Sequence, residues 1–170
     1  MKTAIVFFSR TQTTEKIAKQ IAKELGGDLL RVRADLYPTT IRGYIRALRH
    51  AFSQTKPTIE TGNWNLDKYD LVIVGTPVWG GRMSAPIRSF LTQHRYELKN
   101  VAYFATCGGR GADEVIRKMT ALTQNEPIST MKITAADFKN SSYKKRVADF
   151  VEEIRHGKSR AAAPTLILQT

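Results

Sequence analysis

The hydrophobic period of this chain switches repeatedly, each time from a short solid apolar run to an amphipathic stretch with three- and four-residue spacing. Residues 4–8 read Ala-Ile-Val-Phe-Phe, a β-branched and aromatic run of the kind that forms a strand covered on both faces. Ile17, Ala18, Ile21, Ala22 and Leu25 then recur at helical spacing with Lys16, Lys19, Lys23 and Glu24 between them, and Gly26-Gly27 stands where a helix C-terminus is expected. Residues 28–34 alternate Leu30, Val32 and Ala34 with Arg31 and Arg33, which suits an edge strand. After a turn at Tyr37-Pro38, Ile45, Leu48 and Phe52 predict a second helix with Arg42, Arg46, Arg49 and His50 on its outer face.

Residues 57–65 read as a loop, 71–75 as a second buried strand, and 76–83 as a loop before a helix that carries Ile87, Phe90 and Leu91, with Pro86 in its first turn. Residues 101–105 form a third buried run, followed by a glycine-rich loop and a helix through Val115, Ile116, Met119 and Leu122. A weaker strand over 128–133 and a helix over 143–154 complete the pattern, and a basic and apolar tail is expected over 156–170. Five β-α units of this length predict an α/β fold: a doubly wound five-stranded parallel sheet in a three-layer αβα sandwich, one domain over 1–155.

With 170 residues, 42% of them hydrophobic, the chain can bury a core without staples. Its one cysteine, Cys107, excludes an internal disulfide and a cysteine-based zinc cage. No apolar run approaches the ~20 residues of a membrane span, so a cytoplasmic location is expected. The net charge of +12 is the unusual quantity and predicts an anionic partner.

In doubly wound sheets, ligands lie beyond the carboxyl ends of the strands. Three such ends carry informative loops. The first holds Ser9, Arg10, Thr11, Gln12, Thr13 and Thr14 directly before a helix, and its hydroxyls join the first-turn amides and positive helix end in favouring a phosphate. Arg10 and Lys16 add charge nearby. The second loop, Thr76, Pro77, Val78, Trp79, Gly80 and Gly81, pairs an aromatic plane with two glycines. The third, Thr106, Cys107, Gly108, Gly109, Arg110 and Gly111, exposes backbone amides with few side chains. Together they describe a slot with a phosphate at one end and a planar ring at the other, the shape of flavin mononucleotide (FMN).

Other sites on similar sheets are excluded. The first loop has no carboxylate cluster, and the chain has no Gly-x4-Gly-Lys-[Ser/Thr] phosphate loop. A Cys-x5-Arg phosphatase loop is excluded too, since the residue six beyond Cys107 is Asp113.

Two stretches carry a resemblance to a known family. One is Asp-Leu-Val-Ile-Val-Gly-Thr-Pro-Val-Trp-Gly-Gly from Asp70, continuing to Ala-Pro-Ile-Arg-Ser-Phe-Leu from Ala85; the other is Phe-Ala-Thr-Cys-Gly-Gly-Arg-Gly from Phe104. Over residues 1–154 the chain resembles the short, single-domain flavodoxin-like proteins. The resemblance implies strand order 2-1-3-4-5 and non-covalent FMN, with Ser9, Thr11, Thr13 and Thr14 around the phosphate. It places Thr76 to Gly81 and Thr106 to Gly111 around the isoalloxazine, with Trp79 against the ring. The family's first loop has a glycine in Thr-x-Thr-Gly-x-Thr, a position read here as Thr13.

The resemblance implies an electron carrier between redox partners, with an FMN-dependent NAD(P)H:quinone oxidoreductase as the alternative and a flavin-free binding module as a third class. No general acid stands out, because His50, His94 and His156 are expected on solvated helix faces or the tail. Flavodoxin carriers resemble one another in being acidic, whereas here each of the three loops contains an arginine: Arg10, Arg82 and Arg110. One such charge at about 7 Å would favour an anionic reduced ring by on the order of 100 mV, before exposure and salt reduce the effect. The basic residues are spread over several helices without interleaved aromatics, which disfavours nucleic acid as the partner.

Overall fold

A computed structural model describes residues 1–34, 43, 45–46, 49, 58–62 and 64–161. The second helix expected around Ile45 and Phe52 falls almost wholly outside these residues, as does the end of the tail.

Strands β1 (Thr3–Phe7), β2 (Asp28–Arg31), β3 (Leu71–Trp79), β5 (Val101–Cys107) and β6 (Thr130–Thr134) form a parallel sheet in the order 2-1-3-5-6. A two-residue strand β4 (Arg82–Met83) branches from β3 in an antiparallel hairpin. With that branch set aside, the order is the expected 2-1-3-4-5.

Strand side chains alternate between faces, and here each face meets its own helical layer, which is why the runs are apolar without interruption. Ala4, Val6, Val72, Val74, Val101 and Tyr103 join one core with residues of α2 (Ala85–His94) and α3 (Ala112–Thr123). Ile5, Phe7, Leu71, Ile73, Ala102 and Phe104 join the other with α1 (Thr13–Leu25) and α5 (Tyr143–Ala161). Each fully buried aliphatic or aromatic side chain contributes about 1.5–3 kcal/mol. Helix α1 turns Thr14, Ile17, Ala18, Ile21 and Ala22 inward and ends at Gly26, whose left-handed φ of 64° closes the helix as the sequence predicts.

Three expectations need correction. Residues 76–79 are strand, not loop. After Gly75 the β1 partner ends, and Pro77 lacks an N–H, yet β3 continues because β5 pairs with it to Pro77↔Thr106 and β4 pairs with Val78 and Trp79. Gly80 and Gly81, with φ of 54° and 73°, make the two-residue turn between β3 and β4. Second, a five-residue helix α4 (Ala135–Lys139) follows β6 where no helix was expected. Third, the tail begins as helix, for α5 runs on to Ala161. Among the described residues no helix is long and apolar enough to cross a membrane.

Candidate functional site

The strand registers bring the ends of β1, β3, β5 and β6 to one edge of the sheet, with Phe7 opposite Gly75, Thr76 opposite Ala105 and Cys107 opposite Thr134. A cavity of about 560 Å³ opens there, within the roughly 300–1,000 Å³ usual for small-ligand sites. Arg10, Thr11, Gln12, Thr13 and Thr14 line it from the first loop, and Lys16 from the helix that follows. Pro77, Val78 and Trp79 line it from β3, and Thr106, Cys107 and Gly108 from the end of β5.

The first loop brings hydroxyls and free backbone amides together. No side chain caps α1, so its first-turn N–H groups face the cavity end without an intrahelical acceptor. The Thr11 and Thr13 hydroxyls lie 3.4 Å apart and exposed. Ser9, expected at the phosphate, does not line the cavity; it is buried, and its hydroxyl has no hydrogen-bond partner, a costly state for a polar group. Thr14 differs from its neighbours: its hydroxyl is buried against that of Thr106 at 2.8 Å, tying loop one to loop three.

The loop's left-handed residue is Gln12, with φ 65°. Thr13, the position read as the family's glycine, is instead the first residue of α1. The glycine-demanding conformation therefore falls one residue earlier than expected. Arg31 of β2, which the sequence did not single out, holds the loop in place. Its guanidinium donates to the Ser9 carbonyl at 3.3 Å and pairs with Glu15 at 2.9 Å. The hydrogen bond from Lys19 lowers the Glu15 pKa, burial opposes it, and Arg31 adds to the lowering.

Trp79 forms an apolar wall. It is only 5% exposed, with its ring edge-on to Phe8 at a centroid distance of 5.5 Å. Thr76 does not line the cavity; its hydroxyl accepts from the Ser84 N–H at 3.2 Å and shares a 2.9 Å hydrogen bond with the Ser84 hydroxyl, joining β3 to the start of α2. Gly80, Gly81, Gly109 and Gly111 also lie off the lining. Gly111, with φ 92°, serves packing instead: a Cβ there would come within 2.9 Å of the Gly81 Cα. Of the three loop arginines only Arg10 lines the cavity. Burial raises the pKa of Cys107 against an opposing backbone hydrogen bond at Gly109, so its thiol stays protonated at neutral pH.

A further wall, absent from the sequence reading, comes from α4: Ala135 and Phe138 line the cavity. Phe138 stacks on Tyr143 at 4.9 Å, and the Lys16 ammonium lies 5.8 Å and 5.0 Å from the two ring centroids. The short helix is held by Asp137. Its carboxylate accepts from the Thr134 N–H (2.8 Å), the Thr134 hydroxyl (2.7 Å), the Ser142 hydroxyl (2.8 Å) and Arg146 (2.8 Å). Burial alone would raise its pKa, but these four donors outweigh it and hold the carboxyl well below the usual range. The sequence does carry a signal for α4: Thr134-x-x-Asp137 is a capping box.

His94 and His156 lie away from the cavity, and His50 falls outside the described residues. His94 is not a solvated surface group as expected, but packs on Phe90 at 4.9 Å and bonds Glu97 at 2.8 Å. His156 is exposed near Glu152. Among the described residues no cluster of His, Cys, Asp and Glu could hold a metal ion.

The flavodoxin family model matches residues 2–154. No curated protein sequence matches the chain. Among solved structures, a flavoprotein in complex with FMN from Lactobacillus acidophilus NCFM is 23% identical with a TM-score of 0.68, covering 84% of this chain and 98% of its own. The apo-form of the flavoprotein from the same organism is 26% identical, with a TM-score of 0.61 and coverage of 79% and 93%. Two-electron reduced Megasphaera elsdenii flavodoxin is 17% identical, with a TM-score of 0.56 and coverage of 88% and 97%.

Proposed function

The chain belongs to the flavodoxin family, and on that premise we propose that it binds FMN in the cavity above the sheet and carries electrons between redox partners. The observation that carries the reading is the pairing of two ends in one cavity. Thr11 and Thr13, beside the uncapped start of α1, line it at one end, and the buried Trp79 wall belongs to the same space. These residues fit a phosphorylated planar ligand.

FMN, when bound, supplies one- and two-electron redox chemistry. The protein's part is placement. The α1 amides and the Thr11 and Thr13 hydroxyls hold the phosphate, while Val78, Trp79 and the chain from Thr106 to Gly108 flank the ring and exclude water from one side. Arg31 keeps loop one at its distance from α1. Among the described residues lining the cavity there is no carboxylate and no imidazole, although Lys16, Cys107 and the threonines there carry exchangeable protons. The match to the flavodoxin family model supports electron carriage over direct reduction of a quinone. The +12 charge supports an acidic redox protein as the partner.

Steady-state oxidation of NADH and NADPH with a quinone acceptor, on FMN-reconstituted protein, tests the carrier role. Slow turnover alone, and rapid turnover once a separate flavoprotein reductase is added, is the expected result. Rapid turnover without that addition would establish an oxidoreductase instead.

A further inference from the structure

Lys16 occupies an unfavourable place for a cation, the first turn of α1, where the positive end of the helix opposes it. Its surroundings do not neutralise it. Lys19, Lys118, Lys132 and Lys145 each pair with a carboxylate, but among the described residues Lys16 has no carboxylate within ion-pair distance. Its ammonium instead lies over the Tyr143 ring at 5.0 Å and the Phe138 ring at 5.8 Å. Aromatic faces orient a cation without cancelling its charge.

The nearby carboxylates are already committed. Glu15, the preceding residue, pairs with Lys19 and Arg31. Asp137, beside Phe138, is saturated by Thr134, Ser142 and Arg146. The aromatic pair is itself fixed, Phe138 by the capping box of α4 and Tyr143 by burial in the core beneath α5. Lys16 and Phe138 both line the cavity, as do the Thr11 and Thr13 hydroxyls.

We propose that Lys16, held on the Phe138–Tyr143 pair, meets the phosphate of the bound flavin and makes the site select FMN over riboflavin. This rests on the FMN reading above. The ammonium supplies charge that the amides and hydroxyls of loop one do not, and its aromatic seat limits the entropy lost when it engages the anion.

The test is fluorescence-quenching titration of the apoprotein with FMN and, separately, with riboflavin, for wild type, Lys16→Met, Lys16→Arg and Phe138→Leu, with folding checked by circular dichroism. Lys16→Met keeps the aliphatic stem and is expected to weaken FMN roughly three- to tenfold while leaving riboflavin within about twofold of wild type, which is the scatter of a weak surface contact. Lys16→Arg restores most of the discrimination, and Phe138→Leu loses part of it. The wild-type preference for FMN shrinks as salt is raised, because the added charge is partly exposed. An equal loss for both flavins in Lys16→Met, or no loss of FMN affinity, overturns the proposal while leaving FMN as the ligand. Absence of FMN quenching by the wild type overturns the parent reading instead.

Discussion

The hydroxyls of Thr14 and Thr106, 92 positions apart in the sequence, share a buried hydrogen bond of 2.8 Å. It ties the first turn of α1 to the end of β5, and so joins loop one to loop three. Thr106→Val preserves the shape but leaves the Thr14 hydroxyl buried and unpaired, at a cost of about 1–3 kcal/mol. The Thr14→Val/Thr106→Val double variant removes both polar groups and costs less than the two single changes together. Urea unfolding of the four proteins measures the coupling, and strictly additive losses would show that the two threonines act separately.

The backbone at Gln12 gives a second prediction. A side chain in the left-handed region costs about 1–2 kcal/mol, offset in part by the flexibility that glycine brings to the unfolded chain. Gln12→Gly is therefore expected to stabilise the fold by about 0.5–1 kcal/mol. Thr13→Gly, in the helix, destabilises it by a similar amount. Midpoints of denaturant unfolding decide, and the reverse order would place the left-handed residue at Thr13.

Asp137 fixes a pH dependence. Its folded pKa is depressed, so the stability it contributes is complete above the unfolded carboxylate value of about 3.9 and is lost as pH falls toward the lower folded value. Asp137→Asn is expected to cost about 1–3 kcal/mol at neutral pH. The gap from wild type stays constant from about pH 8 to 5 and narrows below about pH 4. Thermal melts across this range report it. A gap that changes between pH 6 and 8 would assign the effect to another group.

Cys107 lines the cavity with its thiol kept protonated by burial. Thiolate is the reactive form, so labelling by a maleimide at pH 7 is expected to be slow and to quicken as pH rises. Saturating FMN should slow it further. Fast labelling at pH 7 that FMN leaves untouched would place the thiol outside the ligand's reach.

The sequence made the sheet legible because Ile5, Val6, Ile73, Val74, Ala102 and Tyr103 alternate between two buried faces, which leaves solid apolar runs. It hid the extension of β3, because Pro77 and the paired glycines are loop signals and only the non-local partners β5 and β4 carry the strand past them. Helix α4 has five residues, too few for a period to show. The cluster of hydroxyls in loop one was legible from Ser9, Thr11, Thr13 and Thr14. The meeting of Lys16 with Phe138 and Tyr143 was not, since it depends on how α1 and α5 pack side by side beneath the sheet. Thr76 and Ser9 show the same limit: adjacent to the right loops, one is spent on Ser84 while the other's hydroxyl is orphaned.

Backbone amide NMR shifts during titration with FMN test the account at its centre. The largest changes are expected at Thr11 to Thr14, Val78, Trp79 and Thr106 to Gly108, saturating at one FMN per chain. No change on adding FMN, or changes confined to the separate groove around Lys132 and Asp149, would contradict it.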